Sequence, residues 1–230
     1  MKNPYATFAE NPIRGLFGPL VWPRTYTNLL YLMLGFPLGL AYFVLYVTGF
    51  ALGLGLLVLL VGAAILAALV VLAWPLTLLE RELAIRLLDA PVPPPGATTL
   101  PDTDVGTWLK SVLTNPVTWK GLLFVGLKFP LGLASWVAAV VMLSASAAFT
   151  AAPLVHAFGG NVQLGTWEPA SMGAAALLVP VGIVAFVLSI HALNGLAWLW
   201  SRFAVVMLGR GTPTPPAHEA EAKELSPVTA

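Results

Sequence analysis

The 230-residue chain carries eleven Lys and Arg against ten Asp and Glu, with 58% hydrophobic and 9% charged residues and a mean hydropathy of +0.87. Soluble domains carry about 25% charged residues, so the bilayer is the main solvent here, and a formal net charge of +1 gives no support to nucleic-acid binding. The absence of cysteine excludes disulfides, thiolate metal sites and Cys nucleophiles.

No N-terminal stretch combines a short apolar core with a small-residue cleavage site, so the first apolar segment is expected to act as its own insertion signal. Residues 1–23 hold Pro4, Pro12, Pro19 and Pro23, a density that rules out a long helix and predicts an irregular or interfacial lead-in. Leu16, Phe17, Leu20, Val21 and Trp22 suit the headgroup layer.

Residues 29–79 contain no charge. One helix of that length would measure roughly 75 Å, against a hydrocarbon core of about 30 Å. Two spans are therefore expected, near 28–48 and 52–74, turning at Gly49, Gly53 and Gly55, where glycine accepts positive φ without steric cost. Beyond Trp74-Pro75, residues Leu79, Leu83, Leu87 and Leu88 share a face, which predicts an amphipathic surface helix or an extension of span two. The Pro-rich run after Asp89-Ala90 reads as an extended linker over 91–107, with a further surface helix near 105–113.

The stretch Phe36-Pro37-Leu38-Gly39-Leu40-Ala41 returns 93 positions later as Phe129-Pro130-Leu131-Gly132-Leu133-Ala134. The same offset aligns Pro23 with Pro116, Tyr26 with Trp119 and Tyr31 with Phe124. An identity of that length at one fixed offset marks an internal duplication, with copies over about 24–90 and 108–209. Each motif proline either kinks its span or starts it. Lys128, at the repeat position of Gly35, is expected to snorkel to the inner interface, which favours a shallow kink; the alternative is that it faces a central cavity.

Spans three and four are expected near 121–151 and 170–198, with Pro180 as a kink in the last. Between them, His156, Asn161, Gln163, Trp167 and Glu168 form a polar outer segment. Residues 210–230 are Pro-, Ala- and Glu-rich and are expected to be disordered. The fold class is thus all-α: four transmembrane helices in two tandem hairpins, each followed by a short surface helix. All eleven basic residues fall outside the two turns, so the positive-inside rule predicts cytoplasmic termini and two copies that enter the membrane in the same direction.

Few residues suggest chemistry. His191 and Asn194, one helical turn apart, either mark a polar pathway or make interhelical hydrogen bonds. His156 with Glu168 either senses protons or binds a cation, or belongs to a solvated loop. Glu80, Arg81, Glu82 and Arg86 read most simply as a solvated face. Phe36, Pro37, Gly39, Phe129, Pro130 and Gly132 read as structural joints. No phosphate-binding glycine loop, His-Glu-x-x-His or Gly-x-Ser-x-Gly occurs, so no catalytic residue, metal site or cofactor is expected.

The run from Leu29 to Gly49, the glycine-rich Leu52 to Gly62, the Glu80-Arg81-Glu82-Leu83 segment and the second copy from Thr118 to Ala134 together resemble the sensor-domain family. That family is best known at the N-termini of bacterial and archaeal, especially actinobacterial, histidine kinases. The resemblance covers roughly residues 23–208 and implies a four-helix membrane module for signal sensing, with no ligand transferable to named residues. No phosphoacceptor helix pair or ATP-binding domain follows span four here, so output is expected to pass to a separate protein. The expected function is non-enzymatic sensing at the plasma membrane. Its expected partners are the lipid bilayer, a histidine kinase or transcriptional regulator encoded nearby, or a second copy of the chain. The alternative is a small transporter, lipid-binding protein or transporter accessory subunit; copies running in the same direction count against it, since many transporters are built from inverted repeats.

Overall fold

Two apolar stretches, each too long for one crossing, fold back as helical hairpins in the computed structural model, which describes residues 12–92, 114, 116–160 and 169–209. In chain order the elements are α1 (Pro12–Val21), α2 (Pro23–Gly55), a 3-10 turn (Leu57–Leu59), α3 (Val61–Leu88), α4 (Pro116–Thr150), α5 (Ala152–Ala157), α6 (Met172–Ala176) and α7 (Leu178–Leu208). Four segments are long and apolar enough to cross a membrane: α2, α3, α4 from Thr118, and α6 with α7. The surface-helix expectation for 105–113, the expected linker beyond Val92 and the expected tail all lie outside the described residues.

The lead-in is more regular than its prolines suggested. Pro19 sits inside α1, and Pro23 opens α2 at a position where its missing N–H breaks no helical bond. The Tyr26 hydroxyl donates to the Leu20 carbonyl at 2.9 Å, tying the two helices together.

The first hairpin turns where no glycine stands. Leu60 takes the left-handed conformation (φ 60°, ψ −20°) after the 3-10 turn, while Gly49 and Gly53 remain inside α2. Their role is close packing: a Cβ on Gly49 would lie 2.6 Å from Leu69, and one on Gly53 2.6 Å from Leu66. A left-handed non-glycine residue costs about 1–2 kcal/mol. Leu60→Gly is therefore expected to raise the thermal midpoint of unfolding by a few degrees, as read by circular dichroism in detergent.

Other expectations resolve in the same structural terms. Pro37, Pro75 and Pro130 all lie inside helices, so the motif prolines start neither span. Pro180 falls in the first turn of α7; the irregularity expected there lies at Leu177, between α6 and α7. The segment after Trp74 is the continuation of α3 to Leu88 and not a separate surface helix. Its buried face is Ala73, Glu80, Ala84 and Leu88, one position away from the leucine face that composition suggests, and Leu79 is exposed.

The two copies of the motif pack against each other, and they do so antiparallel. A Cβ on Gly39 would lie 2.7 Å from the Lys128 carbonyl oxygen and the Phe129 Cα, while one on Gly132 would strike the Gly35 carbonyl. As α2 advances from Gly35 to Gly39, α4 therefore retreats from Gly132 to Lys128, so the helices are antiparallel where they touch. The contact is reciprocal under the repeat. Phe36 packs on Trp136 with ring centroids 5.2 Å apart, and the equivalent pair, Phe43 on Phe129, stacks at 4.6 Å. Phe36 and Phe129, themselves equivalent, lie 6.4 Å apart. Such self-complementary pairing is the signature of a two-fold relation, here with its axis across the helices.

This overturns the expectation of copies running in the same direction. Phe17 and Leu20 of α1 line one groove with Ala147 and Thr150 of α4 and Ile183 and Phe186 of α7. The entrance to the first hairpin thus lies beside the turn of the second, and the two Lys/Arg-free turns point to opposite ends.

Candidate functional site

Beside this glycine contact, two charges are buried. Glu80 on α3 is 0% exposed and Lys128 on α4 is 1% exposed, and Lys128 Nζ lies 2.7 Å from Glu80 Oε2. Lys128 also donates to the Tyr31 hydroxyl at 3.0 Å. Around the ammonium stand the rings of Tyr31, Trp200 and Phe124, with centroids 4.2, 4.9 and 5.8 Å from Nζ. Glu80 Oε1 and, on α2, the Tyr42 hydroxyl are buried without a hydrogen-bond partner among the described residues.

Each member is placed by a local feature. Glu80 continues the stripe of small residues, Ala73 and Ala84, on which α3 approaches its neighbours. Lys128 immediately precedes the motif, where Gly39 brings the α2 backbone against the Lys128 carbonyl. Trp200 of α7 donates its Nε1 proton to Ser135 at 2.8 Å and meets Tyr31 and Phe124 edge-on. All four long helices therefore contribute. Two opposite charges in a dry site cancel the cost of burial only when each is paired and hydrogen-bonded. The ammonium meets that demand with two oxygen acceptors and aromatic faces.

Two expectations fail here. Lys128 does not snorkel; an acidic partner on a neighbouring helix was available, and burial beside it replaces hydration at the interface. Glu80 is not part of a solvated face. Arg86 and Glu82 do pair at the surface, 2.5 Å apart one turn along α3, and Arg81 donates to the Val92 carbonyl at 3.1 Å.

The remaining candidates separate. Asn194 donates to Thr25 Oγ1 at 3.1 Å and accepts from Asn28 at 2.7 Å, which ties α7 to the start of α2. His191 instead lies 2.8 Å through Nδ1 from the Val187 carbonyl of its own helix. His156 is half-buried in α5, and Glu168 lies outside the described residues, as do Asn161, Gln163 and Trp167. No cluster of three or more metal-ligating side chains occurs among the described residues. Interhelical amide hydrogen bonds in membranes contribute about 0.6 kcal/mol on average. Asn194→Ala should accordingly lower stability only slightly, by about 1 kcal/mol or less in reversible unfolding.

On sequence alone, Glu80 falls on a solvated face, and Tyr31 and Trp200 take no part in a polar site. The available signal was the Ala73–Glu80–Ala84–Leu88 stripe, in which one acid occupies a position otherwise held by small or apolar residues.

Residues 31–208 match the model of the family described as "Putative sensor". The chain belongs to this family. Every member of the buried centre, together with both copies of the motif, falls within the matched part of this sensor-family protein, whereas Thr25, Asn28 and α1 precede it. No curated protein and no solved structure matches the chain.

Proposed function

We propose that this protein is a non-enzymatic membrane sensor that takes part in signal transduction through a separate partner, such as a histidine kinase or transcriptional regulator. The observation that carries the reading is the ion pair between Glu80 and Lys128, which bridges the two copies inside the bundle. Glycine contacts let the copies approach closely, and one paired charge fixes their register. A stimulus that alters this joint also moves the end of α3, where Arg24 pairs with Asp89 at 3.1 Å and Glu82 and Arg86 are exposed. That end is the surface offered to the partner. The test is proximity labelling from the C-terminus of α3, combined with deletion of the gene. Labelling of a signalling protein and altered kinase-dependent transcription are expected; neither result being obtained would refute the sensor reading.

The membrane is read as the plasma membrane, and Lys2, Arg14 and Arg24 support a cytoplasmic N-terminus. At the C-terminus two lines of support part. The charges of Arg202, Arg210 and Lys223 favour the cytoplasm, whereas the opposed helix directions favour the other side. The chain has no cysteine, so one introduced after Gly211 reports cleanly. Protection from an impermeant maleimide in intact cells upholds the charge reading, and labelling upholds the helix directions.

The antiparallel contact favours a second reading, a small transporter, because inverted repeats with a polar site at their interface suit alternating access. Flux in proteoliposomes across a panel of small cations tests it, and silence across the panel would dispose of it.

A further inference from the structure

We infer that the chamber around Lys128 Nζ is built as a receptor for a primary ammonium group, that the chain's own lysine is its resident occupant, and that a small organic ammonium takes its place once the lysine tip is removed. The chamber has the chemistry of an ammonium receptor. The Glu80 carboxylate lies at 2.7 Å and the Tyr31 hydroxyl at 3.0 Å, and three aromatic rings close the remaining directions at 4.2 to 5.8 Å. Cations over aromatic faces are attracted by the ring quadrupole, and such cages recognise ammonium ligands in general. An ammonium has three protons to donate. Here two go to oxygen, and the third faces rings.

The walls come from α2, α3, α4 and α7, so they belong to the packed bundle and do not depend on the lysine stem that enters from α4. The wall groups are themselves buried, with Tyr31 1%, Phe124 0% and Glu80 0% exposed, which keeps water from competing for the carboxylate. Glu80 Oε1 is buried without a hydrogen-bond partner among the described residues, so the carboxylate has capacity beyond what Lys128 uses. A diffusible amine or the amine headgroup of a lipid offers the same chemistry as the lysine tip. The inference concerns binding alone and stands or falls independently of the sensor reading.

The test uses the full chain carrying Lys128→Ala, which removes a fragment equivalent to n-propylammonium. Thermal unfolding in detergent is followed with added propylammonium chloride, 1-propanol or potassium chloride. A saturable rise of several degrees with propylammonium alone is expected. It should be absent in the wild type, whose chamber is full, and in the Glu80→Gln/Lys128→Ala double variant, which lacks the carboxylate. No rise, an equal rise with propanol, or a rise that survives Glu80→Gln would overturn the inference. If Lys128→Ala does not yield folded protein, propylammonium is supplied during expression and purification. Recovery of a monodisperse peak with the amine but not with propanol supports the site, and no recovery refutes it. Nanodiscs distinguish the sources. Higher stability of Lys128→Ala in phosphatidylethanolamine than in phosphatidylcholine shows that a lipid amine headgroup enters the vacated chamber. Equal stability in both, with a response to propylammonium, shows that only a free amine does.

Discussion

Glu80→Ala is expected to destabilise the protein by about 3–5 kcal/mol, the cost of leaving one member of a buried ion pair without its partner. Lys128 is 1% exposed and the surrounding groups are aromatic, so the orphaned ammonium is shut off from water, and among the described residues no carboxylate other than Glu80 pairs with it. Replacing both members by apolar residues, Glu80→Leu with Lys128→Met, should cost far less than either single change and could exceed wild-type stability, since such replacements are often neutral or stabilising by about 1–4 kcal/mol. The contrast within the molecule is informative. Arg24 and Asp89 form an ion pair of ordinary geometry at 3.1 Å, but their side chains are 49% and 74% exposed. Water competes for both charges there, and Arg24→Ala should cost at most about 1 kcal/mol. Reversible denaturant unfolding in micelles checks the whole set. Near-equal losses for Glu80→Ala and Arg24→Ala would mean that the inner pair is hydrated.

The second large effect lies at the repeated motif. Gly39→Leu forces a side chain into the backbone of α4, where even a Cβ meets the Lys128 and Phe129 backbone at 2.7 Å. Backbone on both sides cannot yield as a flexible side chain can, so the helices must separate. Overpacking typically costs about 1–3 kcal/mol, and a clash against backbone puts Gly39→Leu at the upper end; separation would also loosen the Glu80–Lys128 contact. Gly132→Leu should be equally damaging, because its Cβ strikes the Gly35 carbonyl in the reciprocal contact. Gly126→Ala and Gly195→Ala are the controls. A Cβ at either meets no heavy atom within 4 Å beyond its own stretch of helix backbone, and alanine favours the helix by about 0.8–1 kcal/mol over glycine. Both should be neutral or mildly stabilising. Scanning calorimetry or a dye-based melt separates these outcomes easily.

Much of this architecture was legible from the chain. The uninterrupted apolar run over 29–79 demanded a hairpin, and the Phe-Pro-Leu-Gly segment recurs at an offset of 93, once on α2 and once on α4. What the residues did not carry was how the halves meet. A repeat in sequence is compatible with copies side by side in either direction, and the choice made from Lys and Arg positions assumed that both turns face one way. The decisive features are reciprocal contacts between distant residues, Gly39 with Phe129 and Gly132 with Gly35, which no local pattern displays. The glycines of the first hairpin misled for a related reason. Glycine serves tight turns and close helix packing equally, and Gly49 and Gly53 serve the second while Leu60 makes the turn.

The candidate site was only partly visible. Lys128 drew notice as a charge within an apolar span, but its environment depends on a partner 48 residues away in sequence. Without that partner, snorkelling is the lower-energy course for a lone lysine; with Glu80 facing it, burial becomes tolerable. Glu80 was hidden by its neighbours, since Arg81, Glu82 and Arg86 give the segment the look of a solvated helix. Asn194 and His191 show the converse. They are neighbours on one helix, yet one reaches across to α2 and the other bonds its own backbone.

The antiparallel meeting of the two halves is the claim on which the rest depends, and cross-linking tests it most directly. Phe17→Cys and Ala147→Cys, introduced together into the cysteine-free chain, place thiols on opposite walls of the groove that α1 shares with α4 and α7. A short bis-maleimide should join them within one chain, visible as a faster-migrating band that cleavage between the two positions does not separate. Copies running in the same direction would put those residues at opposite ends of the bundle. Efficient intramolecular cross-linking is the predicted result; its absence, with both cysteines shown to be reactive, would contradict the arrangement.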